Sequence, residues 1–245
     1  TIEFKAYDKD MNIANVSDKL EVTADYKIIE KSKNMSIDDI KKLENENNNI
    51  VLEKSNLYFL SLAVAEYEDK NYNLKYTVND VESVKEKFVK NSKNTFENIF
   101  TYKLQDNEVT KDNIDNIFDE ISGKLKLNDT FVLYIAGHGT IQDGKYQFIP
   151  YKIDEKISID NIKQNLGKIA NYTNKSLVML DTCYSGAVIE NISDNATTNR
   201  LSHDNNSINY IVAINSEQVP LEGYHNQGIF TYSVLDAFDK NDKLK

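Results

Sequence analysis

The 245-residue chain has one cysteine, Cys183. No intrachain disulfide can form, and no cysteine-rich zinc site can be built. No apolar run approaches the roughly 20 residues of a membrane span. A basic block is also missing. Lys and Arg total 29 against 39 Asp and Glu, a formal charge of −10, which is the wrong balance for a nucleic-acid binder. Tryptophan is absent and proline occurs twice. Arginine is nearly absent: among the 29 basic residues only Arg200 is one. The acids show no EF-hand spacing. The chain begins at Thr1 with no charged or apolar leader and ends on a polar tail at Lys245. It therefore reads as a piece of a longer protein, its targeting is not legible, and a cytoplasmic location is the default expectation.

Hydrophobic residues make up 40% of the chain and charged residues 28%, enough to bury the core of one large α/β domain or two small ones. Residues 1–50 read as an extension. Ile2, Phe4 and Ala6, then Leu20, Val22 and Ala24, alternate with polar residues as short half-buried strands do. Ser36 followed by Asp38 and Asp39 reads as a helix start. An Asn-rich linker, Glu44 to Ile50, follows. From residue 51 the pattern becomes regular. Apolar strand-like runs at Leu57–Ala65, Phe96–Leu104, Asp129–Ala136, Ser176–Leu180 and Tyr210–Ile214 alternate with helical stripes. The stripes run through Val81/Val84/Phe88, Ile114/Phe118/Ile121, Ile159/Ile162/Leu166 and Phe230–Phe238. That alternation predicts an α/β fold with a mostly parallel sheet between helices. The stretch from Glu190 to Ser207 is polar and lacks periodicity, and reads as an internal loop.

In such sheets the chemistry gathers beyond the carboxyl ends of the strands. One strand runs out into Ala136-Gly137-His138-Gly139, another into Asp181-Thr182-Cys183-Tyr184-Ser185-Gly186. If these strands are neighbours, His138 can take the proton of the Cys183 thiol. The thiolate can then attack a carbonyl, and the imidazolium can protonate a leaving amine. Gly139 lets its N–H approach a substrate oxygen, and with the N–H of Cys183 it would form an oxyanion hole. The plain alternatives are a small buried apolar cysteine and a polar surface histidine.

These two motifs resemble those of the caspase and metacaspase superfamily of cysteine peptidases. The resemblance extends over roughly residues 56–240. It includes Leu74-Lys75-Tyr76-Thr77-Val78-Asn79-Asp80, Tyr146-Gln147-Phe148-Ile149-Pro150, Ile211-Val212-Ala213-Ile214-Asn215-Ser216 and Gly228-Ile229-Phe230-Thr231. It implies a large portion at about 51–190, the loop at 190–207, and a small portion at about 208–245. It further implies His138 as acid and base, Cys183 as nucleophile, and Gly139 with Cys183 as oxyanion donors. Asp-specific caspases have an arginine-lined pocket, which a chain whose one arginine is Arg200 cannot build. Metacaspases carry an Asp two residues before the nucleophile, here Asp181, and a second pocket acid that Asp80 matches. Such a pocket favours Arg or Lys before the cut. The alternatives are a strand-end structural carboxylate for Asp181 and a helix cap for Asp80. Many metacaspases have Ser where this chain has Ala136, so the resemblance does not choose between Arg and Lys.

Arg200 lies in the loop where relatives are often cut, which raises self-cleavage after Arg200; the plain alternative is one arginine placed in a loop by chance. His203, in the same loop, and His225 read as surface residues; Glu222 is a weaker candidate for contact with a basic substrate. Calcium activates many metacaspases and is the one cofactor the resemblance raises. The expected partners are protein or peptide substrates, with no nucleic acid and no membrane span. Metacaspases tend to be monomers, and a monomer is expected over a dimer. A competing reading from another class is an inactive caspase-like module that binds a protein partner.

Overall fold

The computed structural model describes residues 6–7, 13–14, 55–188, 208–213, 222–224 and 227–241. The chain divides into two compact units, one of Lys54–Phe238 and one of Thr1–Glu53 with Asp239–Lys245. In the latter the described N-terminal residues form one short antiparallel ladder, β1 (Ala6–Tyr7) with β2 (Ile13–Ala14). The strand expected at Leu20–Ala24 and the helix expected from Ser36 lie outside the described residues.

The larger unit is built on a parallel sheet. Its strands are β3 (Leu57–Ala63), β4 (Ile99–Gln105), β5 (Thr130–Gly137), β9 (Lys175–Thr182) and β10 (Ile208–Val212). The order across the sheet is β10-β9-β5-β3-β4, and every neighbouring pair is parallel. From β3 the chain first goes to β4 on one side and then to β5 on the other. This reversal opens a crevice at the carboxyl ends of β3 and β5.

Period-two alternation sorts the side chains into two apolar layers. Tyr58, Leu60, Leu62, Phe131, Leu133, Ile135, Val178 and Leu180 face one side. There they meet Ile114, Phe118 and Ile121 of helix α2 (Lys111–Ser122) and Ile159, Ile162, Leu166 and Ile169 of helix α3 (Ile159–Ala170). Leu57, Phe59, Val132, Tyr134, Ala136 and Met179 face the other. There they meet Val81 and Val84 of helix α1 (Thr77–Ser92) and Val234 of helix α4 (Ile229–Asn241). Fully burying a side chain such as Phe59 or Leu133 is worth about 2–3 kcal/mol. Thr110 and Ser158 start α2 and α3 by accepting the N–H groups of Asn113 and Asn161, both at 3.2 Å.

Two boundaries differ from the apolar pattern for identifiable reasons. The run Leu57–Ala65 stops being strand at Ala63 because Asp106 Oδ1 accepts the N–H groups of Ala65 and Glu66, each at 2.9 Å. The fourth strand starts at Ile99, not Phe96, because Phe96 donates its N–H to the Ser92 carbonyl and closes α1. A small antiparallel sheet goes unannounced by the pattern: β6 (Gly139–Gln142), β7 (Lys145–Phe148) and β8 (Ile157–Ser158). Strands β11 (Glu222–Tyr224) and β12 (Gln227–Gly228) form a hairpin before α4.

Candidate active site

β5 and β9 are paired in register up to Gly137 opposite Thr182. His138 and Cys183 are therefore the next residues out of two adjacent strands. The condition set by the sequence, that the two strands be neighbours, is met.

His138 is held from three directions. Its backbone N–H donates to the Tyr67 hydroxyl at 2.8 Å. Its ring lies 5.1 Å from the Tyr67 ring and edge-on to Tyr72, 5.8 Å away. Nε2 lies 2.8 Å from the Tyr72 carbonyl oxygen. A carbonyl only accepts, so Nε2 carries the proton and the neutral ring keeps its basic lone pair on Nδ1. Tyr72 is presented by a 3-10 turn, Lys70–Tyr72, capped by the Asp69 side chain, which accepts the Asn71 N–H at 3.0 Å. Burial pushes the Tyr67 phenol well above its ordinary range, so it remains a neutral hydroxyl.

Cys183 is half-buried. Burial first, and the negative charge of Asp181 second, raise its thiol above the ordinary value, while its own N–H works the other way. The resting thiol thus keeps its proton unless a base takes it. The chain turns straight after Cys183. Tyr184 has φ +59°, a left-handed conformation that costs a non-glycine residue about 1–2 kcal/mol. The hydroxyl of the buried Ser185 fixes the turn by donating to the Ala213 carbonyl just beyond β10.

Gly139 needs to be glycine. A Cβ there would overlap the Cys183 carbonyl oxygen and come within 2.8 Å of the Tyr146 ring. Tyr146 is locked in turn by its hydroxyl, 2.7 Å from Thr182 Oγ1. The register also frees the Gly139 N–H. Ile149 donates to the His138 carbonyl, so Gly139 opposite Phe148 is a non-hydrogen-bonded pair whose N–H points away from the hairpin partner.

Asp80 and Asp181 meet at the same place. Asp80 is buried in the first turn of α1, and both its oxygens accept the Gly228 N–H, at 3.0 and 3.2 Å. It does not serve as the cap of its own helix; Tyr76 holds that position. Asp181 Oδ2 lies 3.1 Å from the Tyr134 hydroxyl and 3.3 Å from that of Thr231. A Cβ built on Gly228 would sit 3.0 Å from Asp80 Oδ2 and 3.6 Å from Asp181 Oδ2. Both carboxylates therefore crowd one point at the entry to α4.

Arg200, His203 and His225 lie outside the described residues, and for Glu222 only the backbone is described. Sequence reasoning missed Tyr67, Tyr72, Tyr134, Tyr146, Thr182 and Thr231, which hold the named residues in place. Among the described residues no group of three or more His, Cys, Asp or Glu side chains is arranged to hold a metal ion, and no helix is long and apolar enough to cross a membrane.

A parallel α/β sandwich that carries a cysteine and a histidine on adjacent strand ends defines a scaffold of the cysteine-peptidase class. The model of the caspase domain, peptidase family C14, matches residues 60–245, and the chain belongs to that family. No curated relative matches the chain significantly. Among solved structures it is similar to a structural-genomics protein of Geobacter sulfurreducens, with 15% identity and a TM-score of 0.42 over 78% of this chain and 66% of that one.

Proposed function

We propose that the protein is a cysteine endopeptidase that cuts after Arg or Lys. The observation that carries this is the convergence of Asp80 and Asp181 on Gly228, with Asp181 two residues before Cys183 in the chain. Two carboxylates in a partly desolvated pocket attract a cationic side chain and repel an acidic one.

In this reading His138 Nδ1 takes the Cys183 proton as sulfur bonds to the scissile carbonyl carbon. The carbonyl oxygen becomes an oxyanion and takes the N–H groups of Gly139 and Cys183. The intermediate collapses, the C–N bond breaks, and the imidazolium gives its proton to the departing amine. Water, losing a proton to His138, then hydrolyses the thioester and restores the thiol. The Tyr72 carbonyl steadies the imidazolium in both halves of the cycle.

Gly139→Ala should lower kcat about 100-fold with KM nearly unchanged, because displacing the Gly139 peptide removes one oxyanion donor. Steady-state kinetics on a variant of native circular dichroism checks this, and an unchanged kcat would contradict the oxyanion role. Self-processing follows from the same specificity, since Arg200 is the one arginine in the chain. Intact-mass analysis should show a fragment ending at Arg200 for the wild type and none for Cys183→Ala. A wild type that stays whole, or a cut that survives in the variant, would refute self-processing there. The broader test is turnover of fluorogenic peptides ending in Arg, Lys, Asp or Asn, with and without added calcium.

A further inference from the structure

The start of α4 does more than close the fold. Over four residues it delivers one donor to each pocket acid: the Gly228 N–H to Asp80 and the Thr231 hydroxyl to Asp181. Thr231 and Tyr134 are both fully buried. Their hydroxyls are 2.8 Å apart and, with Asp181 Oδ2, close a triangle of three oxygens. An ionised Asp181 brings no proton to it, so two hydroxyl protons serve three contacts. The shortest contact, Tyr134 to Thr231, takes one, and the other goes to Asp181. Burial and the charges of Asp181 and Asp80 push the Tyr134 phenol well up, so it stays a neutral donor.

Tyr134 reaches this position through sheet register alone. It pairs with Met179, two residues before Asp181, and period-two alternation puts both side chains of that diagonal on the α1 and α4 face. The ring packs 6.2 Å from Phe230, one residue before Thr231. The two hydroxyls thus come from a rigid strand and a packed helix turn.

We infer that Tyr134 and Thr231 are specificity-determining positioning residues: their hydroxyl pair fixes the Asp181 carboxylate in the orientation that meets the cationic side chain preceding the cut. The inference rests on the reading of this pocket as a site for basic side chains, and it adds that selectivity depends on two neutral hydroxyls as well as on the acids. Thr231 holds Asp181 directly and Tyr134 fixes the Thr231 hydroxyl that does so, so losing either hydroxyl lets the carboxylate turn and should cost about tenfold in recognition of that cation.

The experiment compares wild type, Tyr134→Phe, Thr231→Val and Thr231→Ser on matched peptides ending in Arg, Lys, citrulline and norleucine. The last two are neutral counterparts of similar length. For the wild type, kcat/KM should favour the basic peptides. Tyr134→Phe and Thr231→Val should each shrink that preference about tenfold, through KM for the basic peptides, with kcat and the neutral peptides nearly unchanged. Thr231→Ser, which restores the hydroxyl, should keep the preference. A general loss of packing would instead lower turnover of all four peptides alike, and that result, or an undiminished preference in both hydroxyl-deleted variants, overturns the inference. Should one variant fail to fold, the other carries the comparison, since each removes one contact of the same triangle. A wild type with no preference for basic peptides overturns the pocket reading itself, and the inference with it.

Discussion

Replacing His138 by Ala is expected to lower kcat/KM at neutral pH by about 1,000-fold with no loss of fold. Burial and the Asp181 charge hold the Cys183 thiol above its ordinary value, so little thiolate exists near neutrality without a base. The sign of the pH dependence follows. Because the thiol is raised, it ionises unaided only at alkaline pH. Residual activity of His138→Ala should therefore climb as pH rises well past neutrality, while the wild type reaches its plateau at lower pH. Cys183→Ala should be inactive throughout. A pH–rate profile for the three proteins checks this. Wild-type rates in His138→Ala would remove the histidine from the mechanism.

Asp181→Asn should move two observables in opposite directions. Removing the carboxylate charge should cost about 100-fold in kcat/KM on Arg-ending peptides, because the pocket loses one of its two anions. The same charge raises the Cys183 thiol, so its removal lowers the thiol back toward its ordinary value. The pH midpoint for alkylation of Cys183 by iodoacetamide should shift down, and labelling at neutral pH should speed up. A more reactive nucleophile in a less active enzyme separates a recognition role from a catalytic one. A midpoint that stays put or rises would show that the carboxylate does not face the sulfur. Asn is nearly isosteric and can still meet the Tyr134 and Thr231 hydroxyls, so the fold is expected to survive.

The parts of the fold that could be read from sequence are those with long, uniform periods. The strands from Leu57, Thr130 and Lys175 follow from continuous apolar runs, and helices α1 to α4 from apolar spacing. The hairpin at β6 and β7 did not, because strands of four residues are too short to show a period. The site divides the same way. His138 stands between two glycines at one strand end, and Asp181 and Cys183 stand at another just before a turn that reaches Gly186, where residue type and position together are informative. Tyr134 does not stand out, since inside Phe131–Ala136 it reads as one more buried position. It is buried, but its hydroxyl meets Asp181, and only the β5–β9 register reveals that. Tyr72 acts through its backbone carbonyl, which no side-chain pattern can signal. The arginine shortage counts against an Asp-specific pocket, and the convergence of Asp80 and Asp181 near Gly228 is what the proposed basic specificity builds on.

The measurement that bears most directly on the account is wild-type kcat/KM on peptides identical except for the residue before the cut, Arg, Lys, Asp or norleucine, with Cys183→Ala as control. The expected result is cleavage after Arg or Lys about 100-fold or more above the others, lost entirely in the control. Preference for Asp would contradict the pocket of Asp80 and Asp181. Cleavage that persists without the Cys183 sulfur would contradict the cysteine-peptidase reading as a whole.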